Sequence, residues 1–314
     1  MKTWNGAALL AIIIFGSVFL INRDSDVEIE KLTKKISKEE ISQMVGQMIM
    51  VGFRGVEVSD EIQKDIENFN IGGVILFDYD VSTKSYGRNI LDSEQIRSLT
   101  ESLQNISNIP MFIAIDAEGG QVNRLKPENG FLEIPSHKEL GMLPLEDVQV
   151  HSESLANQLR GVGINVNFAP VIDVDINPDN PIIGLLGRSF SSDPDIVTKQ
   201  ASAYIDGHRK YGIITSPKHF PGHGSAAGDT HKGVVDVTNV YNQKELEPFR
   251  DLVSLGKVDA LMSAHIINKN VDSIYPASLS RKHIEEILRN DIGFDGVVFS
   301  DDIDMGAIKN EFSE

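Results

Sequence analysis

Residues 213–224 read IITSPKHFPGHG: a β-branched apolar run turns polar at Lys218 and His219 and then breaks at Pro221, Gly222 and Gly224. Proline lacks the N–H that a helix needs and glycine resists ordering, so the chain leaves a strand here and enters a loop. The pattern recurs. Apolar runs at 48–53, 73–77, 111–116, 165–169, 213–219, 259–265 and 297–301 read as strands. Asp116, Asp173, Lys218, His219, His265 and Asp301 stand at or just past their carboxyl ends. Most of these runs lack period-two alternation, as expected of a parallel sheet covered on both faces. Helical segments separate them. Asp193-Pro194 opens one that closes at Tyr211-Gly212, and Ser280 opens RKHIEEILRND.

Alternating β and α elements with buried strands mean either an open parallel sheet or a closed barrel. In an open sheet, reactive side chains gather at one crevice where strand order reverses. Here they recur around many strand ends, which suits a barrel mouth. Gly72-Gly73 precedes a strand, and no glycine-rich phosphate loop follows the first one. The expected fold is therefore α/β, a (β/α)8 TIM-like barrel. Seven strands are countable and the sequence ends soon after Asp301, so the barrel is expected to be incomplete at the C-terminus, with an eighth strand and helix lying beyond Glu314.

The composition fits a globular chain: 314 residues, 41% hydrophobic and 24% charged. Lys and Arg number 29 against 46 Asp and Glu, a net charge of −17. No basic stripe is available for phosphates, so nucleic acid is not expected as a partner. Cysteine is absent, which excludes thiolate catalysis, disulfides and cysteine-based zinc sites. Residues 6–21 carry no charge and follow Lys2. As a helix they would span roughly 24 Å of a roughly 30 Å hydrocarbon core. Residues 1–22 are accordingly expected to be a signal-anchor or signal peptide, 23–40 a charged linker, and 41–314 the barrel. Membrane contact would come only through that apolar segment, with the barrel outside the cytoplasm.

Three clusters carry chemistry. In the loop after Lys218, Asp229 and His231 are two residues apart, close enough for the carboxylate to hold the imidazole in one tautomer and equip it for proton transfer. Zinc held by His219, His223, His231 and Asp229 is the competing reading. The loop lacks an HExxH helix, however, and Lys218 opposes a cation. In the second cluster, Asp301 ends an apolar strand and can act as a nucleophile, while Asp302 or Asp304 is expected to cap the helix that follows. In the third, Asp116 and Arg124 supply an acceptor and a forked donor suited to vicinal hydroxyls, and Arg188 in GRSF is a similar donor.

The strings IDAEGGQVNR, GRSF, KHFPGHG with DTH four residues later, MSAHI, PASLS and GVVFSDD resemble glycoside hydrolase family 3, in its β-N-acetylhexosaminidase branch. The resemblance covers residues 40–314 and implies a retaining double displacement with no cofactor and no metal. It makes Asp301 the nucleophile, His231 with Asp229 the acid/base dyad, and Asp116, Arg124, Arg188, Lys218 and His219 the sugar contacts. The implied activity is release of terminal N-acetylglucosamine from peptidoglycan- or chitin-derived sugars. An N-acetylglucosamine phosphorylase, a β-glucosidase and an inactive sugar-binding barrel fragment remain as alternatives. Glucosidase branches take their acid/base from a second domain, whereas this chain carries the D-T-H loop. Residues 224–231, GSAAGDTH, depart from the family's commoner form but preserve its spacing.

Overall fold

A computed structural model describes residues 37–312; the expected signal segment and nearly all of the linker lie outside the described residues. The chain divides into two units after Gly46. Of the first, the described part is one helix, α1 (Lys38–Gly46). It is opened by Ser37, whose hydroxyl accepts from the Glu40 N–H while the Glu40 carboxylate accepts from the Ser37 N–H.

The second unit is built on parallel strands. β1 (Met50–Gly52), β2 (Gly73–Leu76), β3 (Phe112–Ile115), β4 (Val166–Asn167) and β5 (Ile214–Thr215) form one sheet in chain order. β6 (Ala260–Ser263) and β7 (Val297–Ser300) pair in parallel, with Met262 opposite Phe299. The chain just past β5 joins the two. The Met262 N–H donates to the Pro217 carbonyl (3.0 Å), and the Phe220 N–H to the Met262 carbonyl (2.8 Å). Each expected strand is present, one to five residues shorter than its apolar run. Among the described residues nothing pairs with the outer edges of β1 and β7, and Val297 on β7 is 44% exposed. The architecture is an incomplete (β/α)8 barrel.

Two apolar layers explain the nearly continuous hydrophobicity of the strands. Met50, Ile75, Phe112, Ala114, Val166, Phe168, Ile214, Met262 and Phe299 meet inside the curved sheet, so all seven strands line one interior. The alternate residues, among them Val74, Leu76, Ile113, Ile115 and Leu261, pack outward against the helices. Those helices are α2 (Asp60–Phe69), α3 (Ser93–Ile106), α4 (Leu145–Gly161), α5 (Pro194–Lys210), α6 (Glu247–Ser254) and α7 (Lys282–Asp291). Helix α5 begins as expected, with the Asp193 carboxylate accepting from the Asp195 N–H, and Gly212 beyond it adopts φ +68°. Helix α7 follows Ser280 as expected, the Ser280 hydroxyl accepting from the His283 N–H (3.2 Å), and it is wound as a π-helix, for which the sequence carries no signal. One local expectation fails. The last short helix, Gly306–Lys309, has Met305 at its N-cap. The Asp302 carboxylate is spent instead on the Asp304 N–H, and Asp304 on Lys309.

Buried polar side chains tie the helical layer to the strand ends. Asn167 on β4 accepts from the Ala117 N–H (3.1 Å) and donates to the Ala117 carbonyl (3.0 Å), clamping the backbone between Asp116 and Glu118. The Asn167 amide also donates to His208 Nε2 (3.0 Å), and His208 Nδ1 faces the Ser152 hydroxyl (2.7 Å). Burial pushes His208 down to about 3 and His137 down to about 4. An unfolded histidine titrates near ~6.5. Below that value the unfolded chain binds protons that the folded one excludes, so stability is lost as pH falls from about 6.5 toward 4. Each imidazole contributes about 1.4 kcal/mol per pH unit in that window. In urea melts, His208→Gln is expected to be less stable near neutral pH and to lose stability less steeply on acidification. An unaltered slope would exclude His208 as a source of the acid sensitivity.

Candidate active site

Strand periodicity delivers the site. Residues two apart share a face, so the inward parity of Phe112 and Ala114 continues to Asp116, that of Ile214 to Lys218, and that of Phe299 to Asp301. These three side chains follow β3, β5 and β7 and continue the interior face of each. Gly224 lets the loop after Lys218 lie against the neighbouring chain: a Cβ there would stand 1.7 Å from the Val174 carbonyl oxygen.

Five of the expected residues form one connected network. Lys218 Nζ lies 2.8 Å from Asp116 Oδ1 and 2.7 Å from Glu118 Oε1. Arg188 grips Glu118 with two parallel bonds, Nε to Oε2 and Nη2 to Oε1, each 2.8 Å. Arg188 Nη2 also donates toward His219 Nε2 (3.3 Å), which places the His219 proton on Nδ1, facing Asp173 Oδ2 at 2.6 Å. Asp173 Oδ1 accepts from the backbone N–H groups of His219 and His223. On the other side, Arg124 Nη2 is 3.6 Å from Asp116 and its guanidinium lies over the Phe77 ring at 5.7 Å.

Charge pairing stabilises this buried assembly. Burial works against the charge on Glu118, but Arg188 and Lys218 outweigh it and hold the carboxyl well below the usual range. Asp116 is likewise lowered against burial, by Lys218 and Arg124. Burial opposes the Lys218 charge, and Asp116 and Glu118 raise it back above its ordinary value. Asp173 is lowered against burial by His219.

The remaining three expected residues lie outside this network. Asp301 is partly exposed, its N–H bonded to the Ser263 carbonyl (2.9 Å) and one carboxylate oxygen accepting from the Asp302 N–H (2.9 Å). Asp229 Oδ1 meets His231 Nδ1 at 2.8 Å, and the imidazole is 64% exposed. Burial opposes the Asp229 charge, and the bond from His231 lowers its carboxyl despite that. Backbone contacts bring the dyad and Asp301 to the same region: the Gly306 N–H donates to the His231 carbonyl (3.2 Å) and the Ala307 N–H to the Thr230 carbonyl (3.1 Å). Among the described residues no three or more His, Asp or Glu side chains are grouped to hold a metal ion.

Reading the sequence alone missed Glu118, the hub of the network, and gave no partner to Asp173. It had a signal for Glu118: two residues past Asp116, on a run that ends apolar, a second carboxylate needs cationic partners. His223 is also buried here. Its ring stands 6.0 Å from that of His219, both its nitrogens lack partners, and burial pushes it down to about 4.

Residues 40–314 match the model of the glycosyl hydrolase family 3 N terminal domain. The chain belongs to glycoside hydrolase family 3. Within that family it lies in the β-hexosaminidase branch. It is 37% identical to the β-hexosaminidase of Tolumonas auensis over 263 residues, 82% of this chain and 74% of that protein. It is 32% identical to β-hexosaminidase A of Pseudoalteromonas piscicida, covering 87% of this chain and 50% of that one. A family 3 β-N-acetylglucosaminidase from Paenibacillus superposes with TM-score 0.80 at 36% identity, over 87% of this chain and 51% of its own. NagZ from Neisseria gonorrhoeae in complex with N-trifluoroacetyl-D-glucosamine gives 0.73 at 33% identity, over 84% of this chain and 76% of its own. The chain thus spans about three quarters of the length of some relatives and half that of others.

In this family 3 barrel Glu118 is expected to be the carboxylate least tolerant of neutralisation. Glu118→Gln leaves Lys218 and Arg188 buried without their shared counter-charge and should cost about 3–5 kcal/mol in urea unfolding. Asp116→Asn, at a partly exposed carboxylate, should cost less. Equal losses would contradict the hub assignment.

Proposed function

We propose that the protein is a retaining exo-β-N-acetylglucosaminidase that releases terminal N-acetylglucosamine from peptidoglycan- or chitin-derived sugars. Family membership supports a carbohydrate substrate. One observation carries the mechanism: the chain just past Asp301 hydrogen-bonds the backbone of His231, so a nucleophile and a carboxylate-held imidazole approach the same mouth.

Asp116, Arg124 and Lys218 offer an acceptor and two donors to the hydroxyls of one pyranose, with Arg188 and His219 fixing the far wall. One oxygen of Asp301 accepts from the Asp302 N–H, and the other attacks the anomeric carbon to form a glycosyl-aspartate. His231 Nδ1 is held by Asp229, which leaves Nε2 to protonate the departing glycosidic oxygen. The same Nε2 then takes a proton from water as water attacks the intermediate, and Asp301 leaves with retention. The apolar composition of residues 6–21 supports a site of action outside the cytoplasm with the chain held at a membrane, which fractionation and detergent release would test.

Asp301→Asn and His231→Ala are each expected to lower turnover of an aryl β-N-acetylglucosaminide by about 10²–10⁴. Wild-type rates in Asp301→Asn would exclude the mechanism. Added phosphate should not divert product to the sugar 1-phosphate; its accumulation would convert the reading to phosphorolysis by the same two groups.

A further inference from the structure

Strand β2 does not stop at the sugar site. After Phe77 and Asp78 the chain makes a hairpin in which Tyr79-Asp80 pairs antiparallel with Ser85-Tyr86 before Arg88 returns to the barrel. The base is fixed: the Gly87 N–H donates to the Asp78 carbonyl (2.8 Å) and the Asn89 N–H to the Phe77 carbonyl (3.0 Å). The tip is fixed too, because the Asp80 carboxylate accepts from the Ser82 and Thr83 N–H groups and pairs with Arg54.

Neither lock involves the tyrosines. Tyr79 and Tyr86 stand opposite each other, rings 5.0 Å apart and edge to face, and Tyr86 is 73% exposed. Such a pair buries little area and adds little to folding. Its direction follows from parity. Ile75 faces the barrel interior, so Phe77 and Tyr79 continue along the same face, each partly exposed, while Leu76, Asp78 and Asp80 between them are buried. Arg124 links this column to the sugar site, lying over Phe77 and reaching Asp116.

The geometry points to the Tyr79–Tyr86 pair as a stacking platform for the saccharide on the leaving-group side, a second sugar subsite at the rim of the mouth. This rests on the hexosaminidase reading above. The reason for that side is enclosure. Glu118, Lys218, Arg188, His219 and Asp173 are buried and bonded to one another, so they close the inner end of the site. A glycan bound there can continue only outward over the rim. The non-polar C–H face of a pyranose suits an exposed aromatic ring, which loses little conformational freedom on contact.

The test compares two substrates of the full chain. The β-fluoride of N-acetylglucosamine has a leaving atom too small to reach the rim, whereas the β-1,4-linked N-acetylglucosamine trimer places sugars across it. Tyr86→Ala is expected to lower kcat/KM for the trimer about tenfold relative to the fluoride, chiefly through KM, and Tyr86→Phe should restore the ratio because stacking needs the ring and not the hydroxyl. Tyr79→Ala should act in the same direction. A trimer-to-fluoride ratio unmoved by both alanine variants, with both substrates turned over, overturns the platform and leaves the hexosaminidase reading intact. Wild-type protein that turns over neither substrate overturns the reading of the site and the platform together.

Discussion

One buried carboxylate, Glu118, sets the conditions for the rest of the site. It is wholly enclosed, yet it holds Lys218 from β5 and Arg188 from the loop before α5, and each of those cations reaches a further partner. A lone ion in such a place would be strongly destabilising, and even a buried pair often does no better than apolar residues of equal volume. Nets of this kind are useful for position. Lys218 cannot tilt away from Asp116 without leaving Glu118, and Arg188 cannot turn without releasing both Glu118 and the edge of His219. Under the proposed function the polar wall is therefore set before any sugar arrives, which spares binding the entropy of arranging it.

The groups assigned to bond making and breaking are held differently. Asp301 and the Asp229–His231 pair are more exposed, and what steadies them is mainly backbone: the Ser263 carbonyl below Asp301, and the Gly306 and Ala307 N–H groups beneath the dyad loop. A rigid buried wall joined to an accessible acid/base suits a reaction in which a glycan must leave and water must enter between two half-steps. The division also separates the consequences of substitution. Under the proposed function, changes in the net would act on folding and ground-state binding together, while changes in the dyad would act on proton transfer.

Much of this was legible in the residues. The seven strands follow from apolar runs, and the reactive strand ends follow from the loop-forming glycines and prolines beside them. The ladders are shorter than the runs because flanking residues bond in other ways, as Asn165 just before β4 does when its side chain accepts from the Ile113 N–H. The network was only half legible. Lys218 and Asp116 are 102 residues apart in sequence and Arg188 and Glu118 are 70 apart, and no local pattern encodes such a pairing. Asp302 and Asp304 looked like helix caps because both sit just before one. Their carboxylates found nearer partners, a choice that depends on backbone turns that spacing does not reveal.

The position of Asp301 depends on two restraints on β7. Among the described residues its lateral strand pairing is with β6. Its second restraint comes from inside the barrel. Phe299 packs edge to face against Phe168, just past β4, at 5.2 Å and against Phe112 on β3 at 6.1 Å. Contacts across the interior thus add to the lateral hydrogen bonds of the strand. Two residues further on, that same inward parity carries Asp301, so the aromatic cluster acts on the direction of the carboxylate as well as on the stability of the strand. The interior packing and the proposed chemistry are consequently one continuous arrangement, from the apolar layer at Phe112, Phe168 and Phe299 to the charged layer at Asp116, Lys218 and Asp301.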